Sequence, residues 1–321
     1  MGSAEQVIYK SRKIATLDLG TNSLLMLIAE RDEEGRVTVI ADESAMPRLG
    51  EGLRATKRLG DHIIERACRS IREFVLQAKE LGVEEILITA TSAVREAENS
   101  SALLTRIQEE AGIDIEVLPP NEEARLTYLS VTTEPGGDAR SMVVDIGGGS
   151  TEVTWGIGHR FDGGRSLDVG TIKVLEGHLK SDPPSEAELD AARAEIDQRL
   201  SRVTPLGTLD HYYGTAGTFT HLASVDLQLK EYHPDKIAGH KLDQKTVNRW
   251  VDTLSRMTAK ERLSLPGLDP RRADVILSGS LIIERLYPKF GNDVFEVYDR
   301  GIRFGKLFEK LRNFVPPVRF S

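Results

Sequence analysis

Two short stretches of this chain repeat one another without a gap. Residues 14–23 read IATLDLGTNS and residues 141–150 read SMVVDIGGGS. Asp18 and Asp145, Gly20 and Gly147, and Ser23 and Ser150 each stand 127 residues apart. Each block starts as an apolar strand and ends in a turn rich in Gly, Ser and Thr. A second strand is predicted after each turn, Leu24 to Ala29 and Thr151 to Ile157. A polar turn follows, Asp32-Glu33-Glu34-Gly35 or Gly158-His159-Arg160, and then a third strand, Val37 to Ala41 or Arg165 to Val169. The pattern is strand-turn-strand-turn-strand, twice.

Helical periodicity comes next in both halves. Ile63, Ile64, Ala67, Ile71, Phe74, Val75 and Ala78 fall on one helical face, with Asp61 as the expected N-cap and Gly82 as the stop. A buried strand is expected over Glu85 to Ala90. In the second half Ser185 to Arg202 reads as helix and Leu209 to Tyr213 as strand. The chain has 321 residues, enough for two ordinary domains. The expectation is an α/β chain of two similar halves with mixed sheets and helices. The Gly turns of both would open into a cleft between them. The boundaries drawn are 1–134, 135–304, and a tail over 305–321 that returns to the first domain.

Glycine lets backbone approach an anion closely, and successive N–H groups can form a nest for it. The candidate phosphate-binding residues are Gly20, Thr21, Asn22 and Ser23 in the first turn and Gly147, Gly148, Gly149 and Ser150 in the second. Asp18 and Asp145, at the strand ends, cannot bind phosphate directly. They can hold a hard cation that does. There is no GxxxxGK[ST], and each turn leads to a strand rather than a helix, so neither a P-loop nor a dinucleotide fingerprint is present.

Composition narrows the class. With 40% hydrophobic and 29% charged residues the chain reads as a globular enzyme. No apolar run reaches membrane-spanning length, and the N-terminus has no apolar core of a secretory signal. Met1-Gly2-Ser3 opens like a myristoylation site, but Gln6 breaks the pattern. The single cysteine, Cys68, rules out an intrachain disulfide framework and fits a reducing, cytoplasmic setting. It lies on the first predicted helix and reads as a partly buried structural thiol. No zinc-ligand spacing is present among the seven histidines. A net charge of −8 argues against general nucleic-acid binding. It also means that an anionic substrate must meet a locally positive surface.

DLGTNS (18–23), TSAVREAEN (91–99), NEEARL (121–126), DIGGGSTE (145–152) and GTAGT (214–218) stand in that order. Together they resemble the exopolyphosphatase/guanosine-pentaphosphate phosphohydrolase (Ppx/GppA) family, short two-domain form. That family belongs to the sugar kinase/actin/heat-shock-chaperone superfamily. The resemblance covers nearly the whole chain and implies two actin-like, ribonuclease H-like domains. It implies a phosphohydrolase that uses Mg²⁺ (or Mn²⁺) to remove the terminal phosphate from polyphosphate or guanosine pentaphosphate, and a homodimer. GIRFG (301–305) looks like the family's GLREG with Phe304 in place of Glu and Arg303 kept.

The resemblance also implies roles. Glu123 would polarise the attacking water. Asp145 and Glu152 would hold the metal, with Asp18 as their symmetry mate. Arg95 would reach the phosphate, as a guanidinium fork suits. Gly214, Thr215 and Gly217 lie in a turn that either contacts the substrate chain or closes a helix N-terminus. The residues alone allow plainer readings. Glu122 and Glu123 suit the first turn of a helix capped by Asn121. Glu152 suits an exposed strand position, and Arg95 suits a surface pair with Glu96 or Glu98. Arg54, Lys57, Arg58, Lys173, Arg271, Arg272, Arg300 and Arg303 are basic residues available to line an anion channel. Competing functions are a sugar or acid kinase, a non-catalytic polyphosphate or guanosine-phosphate sensor, and an actin-like filament or chaperone.

Overall fold

The computed structural model describes residues 11–34, 36–132, 138–204, 207–311 and 319–320. Met1-Gly2-Ser3, Gln6 and Gly35 lie outside the described residues. The chain forms two units, Met1–Leu118 with Ile302–Ser321, and Pro119–Gly301.

The first unit opens with the antiparallel ladder β1 (Arg12–Leu19), β2 (Leu24–Arg31) and β3 (Val37–Ala45). The short helix α1 (Leu53–Thr56) and the long α2 (Asp61–Glu80) come next. Then follow β4 (Glu85–Ala90), α3 (Ser92–Glu96), α4 (Ser100–Ala111) and β5 (Ile115–Val117). β4 lies parallel to β1, and β5 parallel to β4. The predicted face of α2 is its buried face, with Cys68 added to it. Each fully buried Ile on that face contributes roughly 1.5–3 kcal/mol. The cap is Gly60, and Asp61 is the first helical residue, where its charge still favours the positive helix end. Gly82 ends the helix as expected, at φ +72° with its N–H on the Lys79 carbonyl.

The second unit begins with α5 (Pro120–Val131), then repeats the ladder as β6 (Arg140–Ile146), β7 (Thr151–Ile157) and β8 (Arg160–Leu167). Helices α6 (Thr171–His178) and α7 (Glu186–Leu200) lead to β9 (His211–Thr215), parallel to β6. Ser185 caps α7 in a reciprocal box with Glu188. The remainder is α8 (Ala216–Asp226), α9 (Pro234–Ile237), β10 (His240–Asp243), α10 (Gln244–Ser255), α11 (Ala259–Arg262), α12 (Ile276–Phe290) and β11 (Val294–Val297). Its core joins the sheet to α7, α8, α10 and α12 through Val144, Ile196, Phe219, Val251, Ile282 and Phe295.

The chain then returns to the first unit as α13 (Ile302–Leu311) and β12 (Arg319–Phe320). The sheets run β12-β3-β2-β1-β4-β5 and β10-β11-β9-β6-β7-β8. Reading inward from β3 and from β8, both have the order third, second, first, fourth strand; β5 comes next in the first sheet and β11, with β10 beyond it, in the second. This is the actin-like, ribonuclease H-like arrangement, built twice.

Four local expectations are corrected. The third strand of the second unit starts at Arg160 rather than Arg165, because the hairpin turns at Gly158-His159. Gly163 in that strand lies against the Trp155 indole, where a side chain would crowd it. β9 starts two residues later than Leu209. The cap of α5 is Pro119, not Asn121, because Pro120 is pre-set for the first helical position. The division between units falls at Leu118/Pro119 rather than after residue 134, because α5 packs on β6, β7 and β8.

Candidate active site

The register of the second sheet sets one row of side chains across four strands. Thr215 of β9 stands beside Asp145 of β6, Asp145 faces Glu152 of β7, and Glu152 faces Ser166 of β8. Side chains on one row share a face of the sheet. The seven-position spacing of Asp145 and Glu152 therefore brings both carboxylates to the same side. The first sheet has the corresponding row Thr89, Asp18, Leu25, Ser44. The two rows match at three positions. Only the second carries a carboxylate pair, because Leu25 stands where Glu152 stands in the repeat.

The two turns share their backbone bonding. The N–H of Gly20 donates to the Ser23 carbonyl at 2.9 Å, and that of Gly147 to the Ser150 carbonyl at 2.9 Å. The carbonyls of the first turn are tied down, Thr21 by the Gly50 N–H and Asn22 by the Arg48 N–H. In the second turn Gly147 accepts from Thr171 and Gly148 from Ile172, at the start of α6. Gly170 allows that approach, since a Cβ there would lie 2.6 Å from the Gly148 carbonyl. Among the described residues the N–H groups of Thr21, Asn22, Gly148 and Gly149 have no protein acceptor, so both turns keep donors for an anion. The first turn is braced by a 2.9 Å bond between the Thr21 and Ser92 hydroxyls, both buried. The Asn22 carboxamide is buried too, and among the described residues neither of its polar atoms has a partner.

Helix α5 separates the two glutamates of NEEAR. Glu122 is held by Arg125, with Nε donating at 2.9 Å, and is part-exposed. Glu123 is 4% exposed. It acts electrostatically on Glu152, which is 2% exposed. Burial pushes the Glu152 carboxyl well above the usual carboxylate range, and the charges of Glu123 and Asp145 push the same way. Hydrogen bonds from Ser166 (2.6 Å to Oε1) and Ser150 oppose the shift. Three acidic groups from α5, β6 and β7 are thus gathered where their repulsion invites a cation. Magnesium typically takes one or two carboxylates and fills the rest with water and substrate oxygens. The Asp145–Glu152 pair suits that demand. Among the described residues no group of three or more His, Cys, Asp or Glu side chains is placed to hold a metal ion.

Arg95 is half-buried, and its Nη1 donates to the Leu118 carbonyl at 2.8 Å, just before the chain enters α5. The turn at Gly214 to Thr218 closes a helix: Thr215 is the N-cap of α8. Gly214 has no room for a side chain against the Phe219 ring, nor Gly217 against the Arg272 guanidinium. His221 bonds through Nδ1 to the Gly217 carbonyl at 2.8 Å and stacks on Tyr232. Lys173, Arg271 and Arg303 pair with Asp168, Asp269 and Asp42. Phe304 is fully buried under α13, against Val37, Val39 and Phe308. Cys68 is 1% exposed, and burial pushes its thiol up.

Ser166 and His221 carry no motif signal, whereas Ser92 lies within TSAVREAEN and Arg272 is among the basic residues available to line an anion channel. Cross-strand register was the one route to Ser166, and it required placing β8 at Arg160.

Residues 27–314 match the Ppx/GppA phosphatase family. Exopolyphosphatase 1 of Mycobacterium tuberculosis is 29% identical over 304 residues, covering 93% of this chain and 88% of that protein. Guanosine-5'-triphosphate,3'-diphosphate pyrophosphatase of Photobacterium profundum is 29% identical over 301 residues, covering 92% and 59%. A crystal structure of the Aquifex aeolicus Ppx/GppA family member is 31% identical with a TM-score of 0.80, covering 94% of this chain and 98% of that one. A match this long, on a twice-built actin-like fold, places the chain in the Ppx/GppA phosphatase family.

Proposed function

We propose that this protein is a cytoplasmic exopolyphosphatase that releases terminal phosphate from inorganic polyphosphate with the help of Mg²⁺ or Mn²⁺. The observation that carries the reading is the buried trio Glu123, Asp145 and Glu152 beside the donor-rich turn 147–150. In this reading Glu123 orients a water and takes its proton as oxygen attacks the terminal phosphorus in line. The bridging P–O bond breaks, and the chain leaves one phosphate shorter. Asp145 and Glu152 would hold the cation. When bound, the cation neutralises charge on phosphoryl oxygens. The amides of Gly148 and Gly149 and the Ser150 hydroxyl in the turn 147–150 are the donors for those oxygens. Catalysis is then mostly positioning and charge stabilisation.

A second reading is hydrolysis of guanosine pentaphosphate at its 5' end, favoured by the Photobacterium relative. The chain spans more of the mycobacterial exopolyphosphatase, which favours polyphosphate. The deciding experiment is phosphate release by the purified protein with Mg²⁺ and with chelator, from long-chain polyphosphate and from guanosine pentaphosphate. Faster release from polyphosphate supports the first reading, and faster release from the nucleotide the second. Tight binding of either with no release supports a sensor. Light scattering of the same sample tests the homodimer.

A further inference from the structure

We infer that Ser166 is a positioning residue for Glu152, setting the carboxylate that holds the divalent cation; this rests on the proposed phosphohydrolase reading. Ser166 faces Glu152 across β7 and β8 and donates from its hydroxyl to Oε1 at 2.6 Å. Glu152 is almost fully buried, 2% exposed, and Asp145 faces it on the other side of β7. A hydroxyl donor on one oxygen fixes the carboxyl plane, and the Ser150 hydroxyl bonds the same carboxylate. Groups behind a metal ligand commonly tune affinity by tenfold or more.

The internal repeat supplies a comparison. Ser44 stands opposite Leu25 in the first sheet and is exposed. Ser166 is half-buried against its glutamate. The same row thus carries a serine twice, opposite a leucine in the first unit and opposite a glutamate in the second.

The test compares wild type, Ser166→Ala and Ser166→Thr in the full chain. Mn²⁺ affinity is read by electron paramagnetic resonance, and kcat and KM for polyphosphate are measured at saturating Mg²⁺. Thermal melts confirm folding. Ser166→Ala is expected to weaken Mn²⁺ binding and lower kcat by about tenfold each, with KM little changed, and Ser166→Thr to restore most of both. Equal Mn²⁺ affinity and kcat in wild type and Ser166→Ala would overturn the inference. A wild type that binds Mn²⁺ but releases no phosphate would sink the proposed activity alone, and the Mn²⁺ titration would still decide Ser166. A wild type that binds no Mn²⁺ would overturn both.

Discussion

Asp145 and Glu152 face each other on one row of the β6–β7 ladder, two carboxylates on the same side of a buried sheet. Like charges opposed in this way destabilise a sheet unless something neutralises them. A bound cation and a proton on Glu152 are the two available remedies. Glu152→Gln is expected to keep or raise the melting temperature in chelator. It should abolish the rise that Mg²⁺ produces in wild type, which reaches about 2.7 kcal/mol when the cation exceeds its Kd a hundredfold. Thermal melts with and without Mg²⁺ check this, and an unchanged Mg²⁺ effect in the variant would count against the pair as cation ligands.

Glu123 and Glu122 are adjacent, yet they should respond very differently. Glu123→Gln is expected to lower phosphate release by about a hundredfold or more while leaving the melt intact. Glu122→Gln removes only a part-exposed pair with Arg125, worth at most about 1 kcal/mol of stability, and should leave kcat within a few-fold. Steady-state kinetics of the two variants separate the roles. The reverse ranking would refute the assignment.

Phe304 is a core residue of the first unit. It is fully buried between α13 and the first sheet, while the neighbouring Arg303 binds Asp42 through Nε at 3.0 Å and Nη2 at 2.9 Å. Phe304→Ala should cost about 3–5 kcal/mol in urea unfolding. Phe304→Glu should cost at least as much, since it adds a buried charge. Recovery of full stability on restoring Glu would show that this position is not core.

His221 sets an acid limit. Burial, and then the Arg272 charge, push its pKa down to about 3, from an ordinary value near 6.5. Between those values the unfolded chain binds a proton that the folded chain does not. Stability therefore rises with pH through this window, by up to about 1.4 kcal/mol per pH unit from this group. The loss begins as pH falls below about 6.5 and is complete near pH 3. His221→Gln is expected to flatten the dependence of stability on pH between 6 and 4, measured by urea unfolding at each pH. A slope equal to that of wild type would remove His221 from the account.

Residue order alone carried the repeated Asp-x-Gly-x-x-Ser turns, the strand pattern around them and the buried face of α2, because local periodicity and turn chemistry need only neighbours in the chain. Motif content also singled out Glu123, Asp145 and Glu152. The tertiary structure decided what each contacts. NEEAR does not reveal that Arg125 claims Glu122 and leaves Glu123 buried. Spacing does not reveal that Asp145 and Glu152 share a ladder row, because that depends on the tightness of the turn between them. Arg95, expected at a phosphate, is bonded to the Leu118 carbonyl, and Phe304 is a core residue. Register, burial and the partner of a long side chain arise from segments tens to hundreds of residues away, so a local pattern cannot encode them.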